Sequence, residues 1–280
     1  MIEKLQKAIA TTIDRQINPT IKEIRDKLLE TYSNLDRSRD KYISKLKNSV
    51  FDAIDRFKSD LREEMYAHID RGIENKECEE IFENECKQGM EKLNEDMKKR
   101  FEKDKKQFHK GIQKTIEEFG ERIENSLVML NHINLDSGFD PNFNIHSGID
   151  KLGLFSTIRV LIVLLTGTPL VLDEIALATG IVLGLIGIVK SVWSWFSSDH
   201  KKSQQKKEVD KNLDEVCGII EEKMRNQIED AKKGICEKVE NIKARLNDPV
   251  VCYERMKKQL KKANERLGYI SNNIKTRIAQ

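Results

Sequence analysis

Apolar residues recur every three or four positions over most of this chain, with Lys, Arg, Asp and Glu between them. Ile43, Leu46, Val50, Ile54, Phe57, Leu61, Met65 and Ile69 form one stripe, and Phe101, Phe108, Ile112, Ile116, Phe119, Ile123 and Leu127 form another. That spacing puts each set on one face of an amphipathic helix. Residues 1–134 are therefore predicted to be helical almost throughout. Pro19 lacks a backbone donor and disfavours helical geometry at Asn18, which predicts a break between a short first helix and a long run from about Arg39. Gly72, Gly89 and Gly111 weaken that run and point to a division into two helices. A third stripe, Val209, Leu213, Val216, Ile220, Met224, Ile228, Ala231, Ile235, Val239, Ile242 and Leu246, predicts another long helix. Its mean spacing of about 3.7 residues suits straight or slightly right-handed packing, and the Ile43–Ile69 arm has almost the same period. Asp248-Pro249 should end it, and a basic helix from about Val250 to Arg277 should follow, with Met256, Leu260, Leu267 and Ile270 turned inward.

The pattern fails in two places. In residues 135–151, LDSGFDPNFNIHSGIDK, periodicity vanishes among Gly, Pro, Asn, Asp and Ser, as in a linker. Residues 152–198 are then almost uniformly apolar. Val160–Leu172 is uncharged over 13 residues and Ile175–Val189 over 15, with Asp173 and Glu174 between them and a Thr166–Pro169 turn signal in the first. A bilayer-spanning helix needs about 20 apolar residues, which neither run reaches alone. Lys190 would have to snorkel its ammonium to the headgroups for the second to extend to Ser198. Trp193, Trp195 and Phe196 at one end are residues of the membrane interface, and Lys201, Lys202, Lys206 and Lys207 just beyond are placed to meet anionic lipid. Gly180 and Gly184 give G-x-x-x-G, which permits close helix approach. Three outcomes are open: burial as a helical hairpin within a bundle, full spanning, and shallow or switchable insertion. Asp173 and Glu174 weigh against the bilayer centre.

Composition narrows the classes. Charged residues make up 35% of the 280, with four Pro and 6% aromatics, which favours long helices over a β-sandwich or an α/β enzyme. A net charge of +3 lacks the cationic excess of a general nucleic-acid binder. Cys78, Cys86, Cys217, Cys236 and Cys252 are odd in number and form no C-x-x-C pair, as expected of reduced cytosolic thiols. The N-terminal MIEKLQKAIATTIDRQ carries no apolar signal-peptide core.

Chemistry-bearing motifs are sparse. The chain has no G-x-x-x-x-G-K-[ST] phosphate loop. Asn75-Lys76-Glu77-Cys78 lacks the aspartate of a guanine-specificity motif, and Asp150-Lys151-Leu152-Gly153 is a short match to D-x-x-G. His68, His109, His132, His146 and His200 are scattered without metal-ligand spacing. Glu79-Glu80 and Glu117-Glu118 read as solvated helix faces. Neither a catalytic residue nor a cofactor or metal is expected.

A long charged helix, a Gly-rich apolar paddle flanked by Trp and Lys, and a return helix together resemble the stalk and membrane tip of bacterial dynamin-like proteins of the labile-enterotoxin-output type. The resemblance rests on LGLFSTIRVLIVLLTGTPLVLDEIALATGIVLGLIGIVKSVWSWF and the arms on either side. It implies a stalk that pairs chains, a tip that engages lipid, and a GTPase head, absent here, that supplies energy from another region or a partner chain. The expected fold is all-α: an elongated antiparallel helical bundle, with an N-terminal arm over 1–134, a linker over 135–151, a hydrophobic hairpin at one tip over 152–198 and return helices over 199–280. Lipid contact is expected at Leu154, Phe155, Val160, Leu161, Ile162, Leu164, Leu165, Leu170, Leu172, Ile181, Leu183, Leu185, Ile186, Trp193, Trp195 and Phe196, and anionic-lipid contact at Lys190, Lys201, Lys202, Lys206 and Lys207. The expected protein is a non-enzymatic, cytoplasmic, membrane-associated module of a remodelling system. Its partners are a lipid membrane and either further copies of itself or a GTPase chain, with no nucleic acid. An α-helical pore-forming toxin or effector, or a membrane-anchored coiled-coil scaffold, are the alternatives.

Overall fold

A computed structural model describes residues 1–131 and 201–278, the side chains of 125 and 127–131 excepted. Among the described residues all regular structure is helical. Helix α1 spans Ile2–Thr12 and passes through a π-helical turn, Ile13–Ile17, into α2, Asn18–Asp70. Then come α3 (Asn75–Asn131), α4 (Lys201–Leu246) and α5 (Asp248–Ile278). Isolated helices owe little to propensity, so their stability here comes from burying an amphipathic face.

The expected break at Asn18-Pro19-Thr20 is absent. Asn18 itself has helical geometry (φ −61°, ψ −47°), and its N–H bonds to the Ile13 carbonyl, five residues back. The extra residue in that turn widens the ladder just ahead of Pro19, where the proline ring would otherwise press on the carbonyl one turn back. The long run thus begins at Asn18 and not near Arg39. Of the three glycines, only Gly72 ends a helix. Its φ of +88° lets Arg71 and Gly72 close back on His68 and Ile69, and α3 starts at Asn75. Gly89 and Gly111 lie within α3.

The chain forms two compact units. In the first, the described residues are 1–38, 110–131 and 238–278. Within it α1 and α5 run antiparallel, with Glu3 against Lys275 and Gln6 against the Asn264 carbonyl. The start of α2 runs antiparallel to the end of α3: Ser126 Oγ donates to Glu23, and Arg122 pairs with Glu30 at 2.7 Å. Ile17, Ile24, Leu35, Ile112, Ile116, Phe119, Ile123, Val239 and Ile242 fill its core. Tyr253 is buried against them, and its hydroxyl donates to the Ser126 carbonyl.

In the second unit the described residues are 39–109 and 201–237. Contacts from α2 to α3 climb one helix while descending the other: Tyr42 stacks on Phe108 at 4.5 Å, Ser49 reaches Asp104, and Phe57 lies over Gly89. Contacts from α2 to α4 do the same, with Lys47, Lys58 and Arg62 meeting Glu229, Asp214 and Asp210. Both helices are antiparallel to α2 in this unit, so they are parallel to each other. Within this unit the Ile43–Ile69 stretch of α2 is opposed to the part of α4 that runs from Val209 to Glu237. Within this unit α3 and α4 are therefore not the two limbs of an antiparallel hairpin.

All eight members of the Ile43–Ile69 stripe and all eleven of the Val209–Leu246 stripe are buried. Full burial of each Ile, Leu, Val, Met or Phe contributes about 1.5–3 kcal/mol, which outweighs the few tenths separating most helix propensities. The inward set of α5 is partly corrected. Met256 and Leu260 are buried and Leu267 is half-buried, but Ile270 is exposed. The buried seam has rotated onto Ser271, one residue along, on the part of α5 that packs against α1.

Candidate functional site

The predicted lipid-contact residues from Leu154 to Phe196, together with Lys190, lie outside the described residues. So do the linker, His132, His146, His200 and Asp150–Gly153. The predicted lysine cluster falls on the first two turns of α4, in the second unit. There it meets the turn that joins α2 to α3. Lys201 pairs with Glu74. Lys202 Nζ donates to the Asp70 carbonyl at 2.8 Å, and Lys206 pairs with the Asp70 carboxylate at 2.7 Å while lying over the Tyr66 ring. Asp70 ends α2, so both ammonium groups sit at the negative end of that helix, where cations are favoured by about 0.3–1 kcal/mol each. Lys207 is exposed.

Gln205 secures the same junction. It stands in the charged run Asp199–Lys207, yet it is 1% exposed. Its Nε2 donates to the Ile73 carbonyl and to Asn75 Oδ1 at 2.9 Å. The turn's carbonyl, which Gly72 leaves outside helical pairing, thus has a partner, as a buried acceptor requires. The arrangement ties the first described turns of α4 to the turn between α2 and α3. Of the five lysines expected at lipid four are described, and three of these, Lys201, Lys202 and Lys206, are drawn onto acids or carbonyls of their own chain.

One turn further along, Asp210 gathers two groups from α2. Arg62 Nε donates to Oδ1 and the Tyr66 hydroxyl to Oδ2, each at 2.7 Å, and Lys58 pairs with Asp214 at 2.6 Å. The bond to Asp210 holds the Tyr66 hydroxyl above its ordinary pKa, with burial adding to it. The Asp210 and Asp214 bonds likewise raise Arg62 and Lys58. Such groups are held in single protonation states, which suits a clamp between helices and not a proton relay. Lys58, Arg62 and Tyr66 are spaced by four along the edge of the Ile43–Ile69 stripe. That i, i+4 row was available in the sequence, but its partner Asp210 was not, because pairing across helices depends on register.

Burial pushes the thiols of Cys78 and Cys86 up to about 11 and that of Cys217 up to about 12. Thiols so protonated are poor nucleophiles and poor metal ligands. All five cysteines are free. Among the described residues no group of three or more His, Cys, Asp or Glu side chains is arranged to hold a metal ion. Asn75–Cys78 forms the first turn of α3, and Asn75 is taken up by Gln205. Glu80 and Glu117 are exposed on α3, and Glu79 and Glu118 half-exposed. Among the described residues no helix is long and apolar enough to cross a membrane. No protein-family model matches the chain, and no curated protein and no solved structure matches it.

Proposed function

We propose that this chain is a membrane-binding helical stalk. In this reading the described helices form an elongated antiparallel bundle. Residues 152–198 insert as a hydrophobic hairpin into lipid, and nucleotide hydrolysis for remodelling resides on a further region or a GTPase partner chain. The observation that carries it is the pair of uncharged runs, Val160–Leu172 and Ile175–Val189, in a chain that is 35% charged overall. The described helices support the reading indirectly. Their stripes are buried within the two units. Each needs only its own amphipathic face, so runs of 13 and 15 residues without a charge exceed what such packing requires. Trp193, Trp195 and Phe196 give the block the aromatic margin of a lipid interface.

In sequence the block lies between α3 and α4, which are parallel to each other within the second unit. Of the basic cluster, Lys207 and Lys190 are the members assigned to anionic headgroups, since Lys201 and Lys206 are paired with acids. The test is co-sedimentation with neutral phosphatidylcholine vesicles. Leu183→Asp or Ile186→Asp abolishes sedimentation while helicity by circular dichroism persists, because a carboxylate in hydrocarbon costs about 2.5–3.5 kcal/mol even on the most lenient scale. Full sedimentation by both variants refutes lipid contact by this block. Release of a trapped dye by the chain alone would replace the stalk reading with that of a pore-former.

A further inference from the structure

The last three turns of α5 carry an apolar strip that the first unit leaves open. Ile270, Ile274 and Ile278 are 47%, 44% and 80% exposed, and Leu267 beside them is half-buried. Spacings of three, four and four align them along one side of the helix. The buried seam of α5, through Leu260 and Ser271, faces α1, where Gln6 reaches Asn264 and Glu3 meets Lys275. At about 100° per residue Ile270 and Ile274 lie about 100° and 60° from Ser271 and flank that seam, while Ile278 continues its line beyond Lys275.

Charge along the same side is one-sided. At about 100° per residue, Arg266 and Arg277 fall within about 40° of Ile270 round the helix axis, and Lys262 precedes Arg266 by one turn. Among the described residues none of these three has an ion-pair partner. The acid of this region, Glu265, projects about 140° away from Ile270. Over α5 as a whole, eight Lys and Arg stand against three Asp and Glu, in a chain whose overall charge is only +3.

We propose that this strip is a second membrane contact, one that lies on the surface of an anionic bilayer with Ile270, Ile274 and Ile278 at the acyl boundary and Lys262, Arg266 and Arg277 among the headgroups. An apolar face with a cationic rim is the pattern of an interfacial helix. Charge complementarity selects the occupant. A second copy of this chain would bring an equal cationic rim to the same face, whereas phosphatidylserine headgroups supply the opposite charge. The surface belongs to α5 alone and stands whether or not residues 152–198 reach lipid.

The experiment uses the full chain bearing Leu183→Asp, floated with vesicles of phosphatidylcholine alone and of equimolar phosphatidylcholine and phosphatidylserine. The expected result is binding to the mixed vesicles only, weakened by added salt. Each basic residue at such a surface contributes about fivefold, so Arg266→Gln with Arg277→Gln lowers the partition coefficient about 25-fold, while Arg266→Lys with Arg277→Lys preserves it. Ile270→Ser with Ile274→Ser also loses binding, at unchanged helicity. A phosphatidylserine-dependent fraction that survives both the glutamine pair and the serine pair overturns the proposal. So does the absence of that fraction from the parent chain, or concentration-dependent self-association that the serine pair removes.

Discussion

Gly89 and Gly218 both occupy helix interiors, and local propensity alone gives them the same answer. Alanine in place of glycine there should stabilise by about 1 kcal/mol, because glycine loses more backbone freedom on folding. The surroundings differ. A Cβ at Gly218 meets nothing within 4 Å. One at Gly89 lies 2.8 Å from Phe57 Cε2 and 3.1 Å from Cδ2. Phe57 is 6% exposed in the core of the second unit, so its ring has little room to retreat. Overpacking of this kind costs about 1–3 kcal/mol, which equals or exceeds the propensity gain. Gly218→Ala is therefore expected to be about 1 kcal/mol more stable than the parent chain, and Gly89→Ala neutral to about 2 kcal/mol less stable. Equilibrium urea unfolding followed by helical circular dichroism compares the midpoints, provided the slopes are unchanged. If Gly89→Ala equals or surpasses Gly218→Ala, the close seating of α3 on Phe57 is refuted, and with it the register between α2 and α3.

Asp210→Ala should destabilise by about 1–3 kcal/mol, since it strips a charge-assisted bond from Arg62 and another from Tyr66. The same urea assay should give Lys47→Ala, which breaks the half-exposed Lys47–Glu229 pair, a loss under about 1 kcal/mol; equal losses would remove Asp210 from the junction. Gly72→Ala is expected to cost about 1 kcal/mol or more, because its φ of +88° suits few side chains, with Gly72→Asn milder; unchanged midpoints would deny the turn its conformation. With a thiol reagent on the native chain, Cys236 and Cys252, which are half-buried, should react before Cys78, Cys86 and Cys217; a uniform rate would contradict the burial of the latter three. Those three thiols ionise more readily unfolded, near 9, than folded, near 11 to 12. Their contribution to stability is then complete below about 9 and is lost as pH rises through that window, and the decline in urea midpoint should be shallower in Cys217→Ala.

The long stripes were legible because each is a sustained repeat, and a repeat over many turns leaves one face to bury. Ile43–Ile69 and Val209–Leu246 could hardly be read otherwise. Single residues at the ends of elements were less legible. Pro19 read as a break, because nothing in the sequence announces a π turn that relieves the clash one turn earlier. Gln205 stands in the charged run Asp199–Lys207 and carries no sign of burial in the sequence, because its two acceptors, Ile73 and Asn75, are 130 or more residues away in the chain. Ile270 read as core by continuing the spacing of Met256 and Leu260, yet beyond Leu260 the side of α5 that packs on α1 runs through Ser271, and the seam shifts. Lys201 and Lys206 looked like a lipid-facing pair from their position after the apolar block. The acids that claim them, Glu74 and Asp70, belong to a turn whose neighbour in space is set by the antiparallel register of α2 and α4. Register is a property of pairs of helices, which a single helical pattern does not contain.

The central claim is that the apolar residues between α3 and α4 meet hydrocarbon. The most direct measurement labels the Leu183→Cys variant, in a chain whose five natural cysteines are replaced by serine, with an environment-sensitive fluorophore, and titrates it with neutral phosphatidylcholine vesicles. A blue shift that is quenched by lipids carrying a quencher on the acyl chain is the predicted result. Emission that stays unchanged at saturating lipid, and that acyl-chain quenchers leave untouched, would contradict the account.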